Sequence, residues 1–259
     1  MQPLVRKRSG ATHPDDPSDI GLFSTPAGIR TVQSPVRVKI LSVLSTRDRT
    51  FDEIVQVSGR AKSTVSVHLK GLEQDGIIGS RFDPKDERKK IFFLRSHSLG
   101  NLTGGITVDD GADMAGQLIT GDDPFGFYRY MFRTIRVSLL AEGINIDPVL
   151  RESGNRVGRT MAASLAEEEL SGLLENLCTF WRKHNLGTLE VESLAPLTLR
   201  AYDCFECGNL PQLGRPACAF DSGILEVVFS EHFGKKHHVD ETACYAMGDD
   251  HCRFVITPR

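Results

Sequence analysis

The sequence predicts an α+β fold in two domains, and three observations carry that expectation. Residues 20–97 alternate short helical and strand periodicities. Residues 98–123 are rich in Gly and Asp and poor in large apolar side chains, the composition of a linker. From Pro124 the pattern is helical, then strand-like after Gly187. Residues 1–19 hold Pro, Ser, Gly and mixed charge without periodicity, and read as a flexible arm. The expected boundaries are therefore 1–19, 20–97, 98–123 and 124–259.

In the first domain, Val36, Ile40 and Leu44 recur at helical spacing behind Ser34-Pro35, an N-cap and first-turn proline. Thr50-Phe51-Asp52-Glu53 fits a capping box that opens a short helix ending at Gly59. A third helix runs from about Ala61 to Gln74, with Val65, Leu69 and Leu72 on one stripe. Ser63, Ser66, Val67 and Lys70 fall on the opposite face, and Asp75-Gly76 ends the helix. Strands Ile77–Phe82 and Lys90–Leu94 follow, joined by a polar stretch.

Three helices, the last two joined by a tight turn, and then a basic hairpin are the order of a winged helix-turn-helix. In such a domain the third helix enters the major groove and the wing touches phosphates. The DNA-binding residues this predicts are Lys62, Ser63, Thr64, Ser66, Val67 and Lys70 on the helix, with Arg88, Lys89 and Lys90 on the wing. His68, at the edge of the apolar stripe, reads as a partly packed structural residue. The run STVSVHLKGLEQDGII, with the charged wing and FFL behind it, resembles the arsenic-repressor-like winged-helix family over about residues 22–95. The resemblance implies a double-stranded DNA operator as partner.

Charge supports this. Residues 1–97 carry seventeen Lys and Arg against eleven Asp and Glu, and the remainder carries fourteen against twenty-three. The formal net charge of −3 thus hides a basic first part and an acidic second part. A module that only mediates protein contacts is the competing reading; the charge sign and the exposed polar face favour DNA. Hydrophobic residues at 40% and charged residues at 25% exclude a disordered chain. No apolar run reaches the ~18 residues of a membrane span. The N-terminal charges have no apolar segment behind them, so no secretory signal is expected and the location expected is cytoplasmic.

In the second domain, helices are expected over Phe125–Glu142, Asp147–Leu165 and Glu167–His184, with breaks at Gly158 and at Asn185-Leu186-Gly187. Strand-like runs follow at Thr188–Leu194, Leu197–Tyr202, Ile224–Phe229 and Cys252–Thr257. The class is helices packed on an antiparallel sheet. All six cysteines lie in the last third of the chain, where a reducing compartment favours metal or redox roles over disulfides. Cys218, Glu241, Cys244 and Cys252 supply three thiolates and a carboxylate. That is a tetrahedral set for one structural Zn2+ per chain, with no open position for hydrolysis. Cys204-x2-Cys207 is a candidate redox switch, with ordinary packing or additional metal ligation as the other readings. Cys178 in LLENLCTFW reads as core, and His237-His238 as a polar turn.

CAFDSGILEVVFSEHFGKKHHVDETACYAMGDDHCRFVI, with DCFECGNL upstream, resembles the end of the 4-vinyl-reductase domain, and the likeness spans roughly 124–258. Such domains act as sensors, including those of phenol-responsive activators, where the same Cys and Glu-x2-Cys-x7-Cys pattern holds zinc beside an aromatic-effector pocket. The combination with a winged helix is similar to methanogen-specific transcriptional regulators whose DNA binding follows the redox state of sensor-domain cysteines. The resemblance implies a regulator, with repression when reduced, controlled through Cys204 and Cys207. The alternative is control by a small hydrophobic effector, with zinc purely structural. An enzyme is disfavoured, because no dinucleotide fingerprint or P-loop is present and Cys-x2-Cys lacks a thioredoxin-like strand-helix context. A homodimer is expected from the half-site logic of such readers, with apolar helices near 20–31 and 124–142 as its surfaces.

Overall fold

The computed structural model describes residues 20–102 and 124–259; the arm at 1–19 and most of the 98–123 segment lie outside these residues. The first unit opens with a hairpin, β1 (Ile20–Thr25) and β2 (Gly28–Val32), turned at Gly28 with φ 103°. This corrects the expected helix near 20–31. The residues alternate along a pleat, and Phe23 and Val32 enter the core.

Helices α1 (Pro35–Thr46), α2 (Phe51–Ser58) and α3 (Lys62–Gln74) then pack on Ile40, Leu41, Leu44, Ile54, Val65, Leu69 and Leu72. Ser34 occupies the N-cap of α1 without a side-chain bond. Thr50 and Glu53 form the reciprocal capping box of α2, and Gly59 closes it in the left-handed region. Strand β3 (Arg49–Thr50) joins the wing strands β4 (Ile78–Asp83) and β5 (Asp86–Leu94) in the order β3-β5-β4.

The Glu53 carboxylate accepts from the Thr50 backbone N–H, which chiefly holds its pKa at about 2 against an ordinary 4.5. A depressed carboxyl contributes stability above its ordinary pKa and loses it as pH falls toward 2. Thr50→Ala is expected to cost about 1 kcal/mol in urea unfolding. Glu53→Gln should flatten stability across that acid window.

Strand β6 (His97–Leu102) pairs with β1, in the stretch whose composition suggests a linker. Its other neighbour is β7 (Ile144–Asn145), which directly follows helix α4 (Gly126–Ala141). The sheet order is β2-β1-β6-β7, so one sheet ties the wing's end to the second domain. Asn145 donates to the Asn101 side chain at 3.0 Å. A Cβ at Gly100 would stand 2.2 Å from the Asn145 carbonyl, so only glycine allows this approach.

The second unit holds α5 (Asp147–Leu165), α6 (Leu170–Lys183), α7 (Ala219–Phe233) and a sheet of β8 (Thr188–Leu194), β9 (Leu197–Tyr202), β10 (His237–Ala243) and β11 (Cys252–Pro258). The order is β10-β11-β9-β8, antiparallel throughout.

Two expectations are corrected here. Ile224–Phe229 is the middle of helix α7, not a strand. The run is buried on nearly every side, so neither helical nor strand alternation marks it. Gly158 does not break α5, which is continuous across it. Gly158 instead lets α7 come close: a Cβ there would meet the Ile224 carbonyl at 2.9 Å, and one at Gly154 would meet the Phe220 carbonyl at 2.0 Å. His237 and His238 begin β10 rather than lying in a turn. His238 contacts Glu226, which also pairs with Arg151 at 2.7 Å and so ties α5, α7 and β10.

Candidate metal centre and nucleic-acid interface

Cys218 is the residue before α7, Glu241 lies on β10, Cys244 follows that strand, and Cys252 opens β11. The antiparallel register of β10 and β11 and the approach of α7 bring them together. Their ligand atoms all lie within 4.8 Å of one another. Cys204 and Cys207 sit in the loop after β9. With Cys218 and Cys252 they form a second set within the same limit. The five cysteines are buried and belong to the domain core.

The short sulfur contacts cross between loops. Cys204 lies 3.5 Å from Cys218, Cys207 3.1 Å from Cys252, and Cys218 3.6 Å from Cys252. Cys204 and Cys207 are thus built into the metal-competent cluster. Cys178 stands apart, half-buried on α6, with its thiol pushed up by burial.

The donor set fits zinc. One Glu241 oxygen accepts from the Cys218 backbone N–H at 2.8 Å. The other is buried with no hydrogen-bond partner. Burial, and then the Cys244 thiolate, push the Glu241 carboxyl up to about 10. Hydrogen bonds, that with Cys207 first, hold the Cys244 thiol far below its ordinary range. Hydrogen bonding with Cys204 first drives Cys252 far above it. Such a pocket needs either protons or a cation, and a thiophilic dication supplies the charge.

Around the cluster stand acids that the spacing argument missed. Asp221 accepts from the Cys204 thiol at 3.5 Å, and burial pushes its carboxyl up. Glu206 accepts from the backbone N–H groups of Phe220 and Asp221, each at 3.0 Å, capping α7. Helix α4 docks on this same loop. Arg133 donates to the Asn209 carbonyl at 2.6 Å and Arg136 to the Glu206 carbonyl at 3.2 Å. Phe132 stacks on Phe205 at 5.9 Å. Arg133 and Arg136 are buried, while Phe127, Tyr128, Met131 and Ile135 on the same helix are exposed.

In the first domain Lys62, Ser63, Thr64, Ser66, Val67 and Lys70 are all exposed on α3. Val67 is 70% exposed, on the face opposite the buried Val65, Leu69 and Leu72. His68 is half-buried. Arg88, Lys89 and Lys90 are exposed on β5, with Arg88 and Lys89 beside Asp86. Ser66, Lys70, Arg88 and Lys90 border one groove between α3 and the wing.

Residues 34–80 match the family described as bacterial regulatory protein, arsR family, and residues 197–258 match the 4-vinyl-reductase domain. A probable mercury resistance operon repressor of Streptomyces lividans is 31% identical over 101 residues, covering 39% of this chain and 74% of the repressor. The chain belongs to the arsR family. It is an arsR-like winged helix fused to a 4-vinyl-reductase domain. An uncharacterised protein of Methanocaldococcus jannaschii is 35% identical over 82 residues, 32% of this chain and 51% of that protein. This arsR-family chain thus spans about half the length of that relative. Among solved structures, the phenol-responsive sensory domain of the transcription activator PoxR, with phenol, matches with 18% identity and a TM-score of 0.32, over 76% of this chain and 90% of that one. Among the described residues, no helix is long and apolar enough to cross a membrane.

Proposed function

We propose that this chain is a DNA-binding transcriptional regulator of the methanogen type, whose 4-vinyl-reductase domain holds one structural Zn2+ through Cys218, Glu241, Cys244 and Cys252 and answers to a small hydrophobic effector. The observation that carries this over a thiol switch is the packing of Cys204 and Cys207. Their short contacts run to Cys218 and Cys252 within a buried cluster. Thiols so placed favour metal ligation over exchange with an oxidant, which needs an accessible thiolate. An apolar cleft of about 380 Å³ between α6 and β8, lined by Leu170, Leu174, Cys178, Val191 and Leu194, suits a small apolar compound. The arsR-family winged helix and the mercury-operon repressor among its relatives support the regulator class. The partner is a double-stranded operator read by a homodimer, for which the exposed aromatic and apolar face of α4 is the proposed surface.

The reaching groups are Lys62, Ser63, Thr64, Ser66, Val67 and Lys70 toward the major groove and Arg88, Lys89 and Lys90 toward phosphates. Binding to the duplex upstream of the chain's own gene, followed by fluorescence anisotropy, tests this. Affinity should fall steeply with salt, by about 0.9 log units per log unit of salt for each phosphate contact. Lys89→Ala with Lys90→Ala should weaken binding to specific and random duplexes alike and make the slope shallower by up to about two units. A changed sequence preference would mean that the wing reads bases. Phenol should then alter operator affinity while peroxide leaves it unchanged. Loss of binding with peroxide, matched by loss of free thiols, would return the switch to Cys204 and Cys207.

A further inference from the structure

We propose that the 4-vinyl-reductase domain holds two metal ions, with the thiolates of Cys218 and Cys252 bridging them. The inference rests on the zinc set assigned above and extends it. Two four-ligand sets are present, and they share Cys218 and Cys252. One set is completed by Cys244 and Glu241, the other by Cys204 and Cys207. A single tetrahedral ion takes four donors, so it leaves one of these outer pairs buried and unligated.

The spacing agrees. Ligands at about 2.3 Å from a tetrahedral ion stand about 3.8 Å apart. The observed sulfur separations are 3.5 Å for Cys204–Cys218, 3.1 Å for Cys207–Cys252 and 4.0 Å for Cys218–Cys244. The two shared sulfurs stand 3.6 Å apart, where a pair of bridging thiolates would stand. Each outer pair also comes with a chelating loop. Gly208 donates its N–H to the Cys204 carbonyl at 2.9 Å, folding the chain around Cys204 and Cys207. A Cβ at Gly208 would come within 2.7 Å of that carbonyl, so the turn needs glycine. Met247 and Asp249 donate in the same way to the Cys244 carbonyl, at 2.8 and 3.2 Å.

Charge does not oppose a second ion. It enters as a dication while the thiols of Cys204 and Cys207 release two protons, so the net charge stays where one ion in the first set leaves it. Zinc is the ion proposed, because thiolates dominate both sets.

The full chain, purified anaerobically with reductant and zinc, would be examined by native mass spectrometry and elemental analysis. Two zinc ions per chain are expected. One is expected for the variant carrying Cys204→Ser and Cys207→Ser. The cadmium-loaded wild type reads the same point without a variant. It should give two cadmium-113 resonances, coupled through the bridging sulfurs. One zinc in the wild type overturns the proposal, as do two ions that both survive loss of Cys204 and Cys207. A single ion retained in that variant leaves the first zinc set standing. A single ion lost there but kept after Glu241→Gln with Cys244→Ser overturns both readings, as does an absence of bound zinc.

Discussion

Stripping metal with a strong chelator, or substituting Cys252→Ser, is expected to unfold the 4-vinyl-reductase domain as a unit. The ligands come from the start of α7, from β10 and its exit, and from the first residue of β11. Each ligand therefore fastens a different element, and Cys252 lies opposite Ala201 at the centre of the sheet. Structural zinc in small modules contributes on the order of 10 kcal/mol at neutral pH. That is comparable to the whole stability of an ordinary domain. Without the ion the pocket retains a carboxyl with one unpartnered oxygen and a set of crowded thiols. Those groups then need protons, so the metal's contribution falls as pH falls and thiols reprotonate. Thermal unfolding followed by Trp181, which is buried in this domain, reads the result. Loss of the cooperative transition after chelation is expected, while helicity from the winged helix persists. A transition unmoved after complete metal removal would show that packing alone holds the domain.

How much of this was legible in the sequence depended on where the signal was local. The winged-helix elements were legible because capping boxes, a glycine stop and an apolar stripe are short-range patterns. The zinc set was legible from ligand type and spacing. The inclusion of Cys204 and Cys207 was not. It depends on the β9–β11 register, which sets Cys252 beside the end of β9, and spacing carries no register. Helix α7 was lost for a different reason. A helix packed between α5 and the sheet is apolar all round, and its periodicity vanishes. Helix α4 inverts the usual rule. Its arginines face inward to backbone carbonyls and acids, and its aromatics face out. An amphipathic pattern alone assigns those faces the other way.

That inversion makes Arg136 the other position where one substitution should have a large effect. Its guanidinium is 2% exposed and reaches the Glu206 carbonyl at 3.2 Å, the Glu206 carboxylate at 3.6 Å and Asp147 at 3.2 Å. Asp147 also pairs with Arg215. Arg136→Met keeps the volume and removes the charge, leaving Glu206 buried without its cation. Breaking such a pair costs about 3–5 kcal/mol. The low end is expected, because Glu206 keeps two backbone donors and its carboxyl is already pushed by burial up to about 8. It can therefore take up a proton near neutral pH and escape the full penalty. The loss should shrink as pH falls below about 8, since the protonated carboxyl needs no partner. The effect should also reach the winged helix. Helix α4 leads through Gly143 into β7, and β7 pairs with β6, the strand that follows the wing. Releasing α4 from the Cys204–Asn209 loop cuts the packed route from the metal cluster to that strand. Urea unfolding at pH 6 and pH 8.5, with operator affinity measured on the same protein, tests both halves. A change under 0.5 kcal/mol at the higher pH would mean that the buried pair contributes nothing net. An unchanged response of operator affinity to phenol would mean that the signal travels by another route.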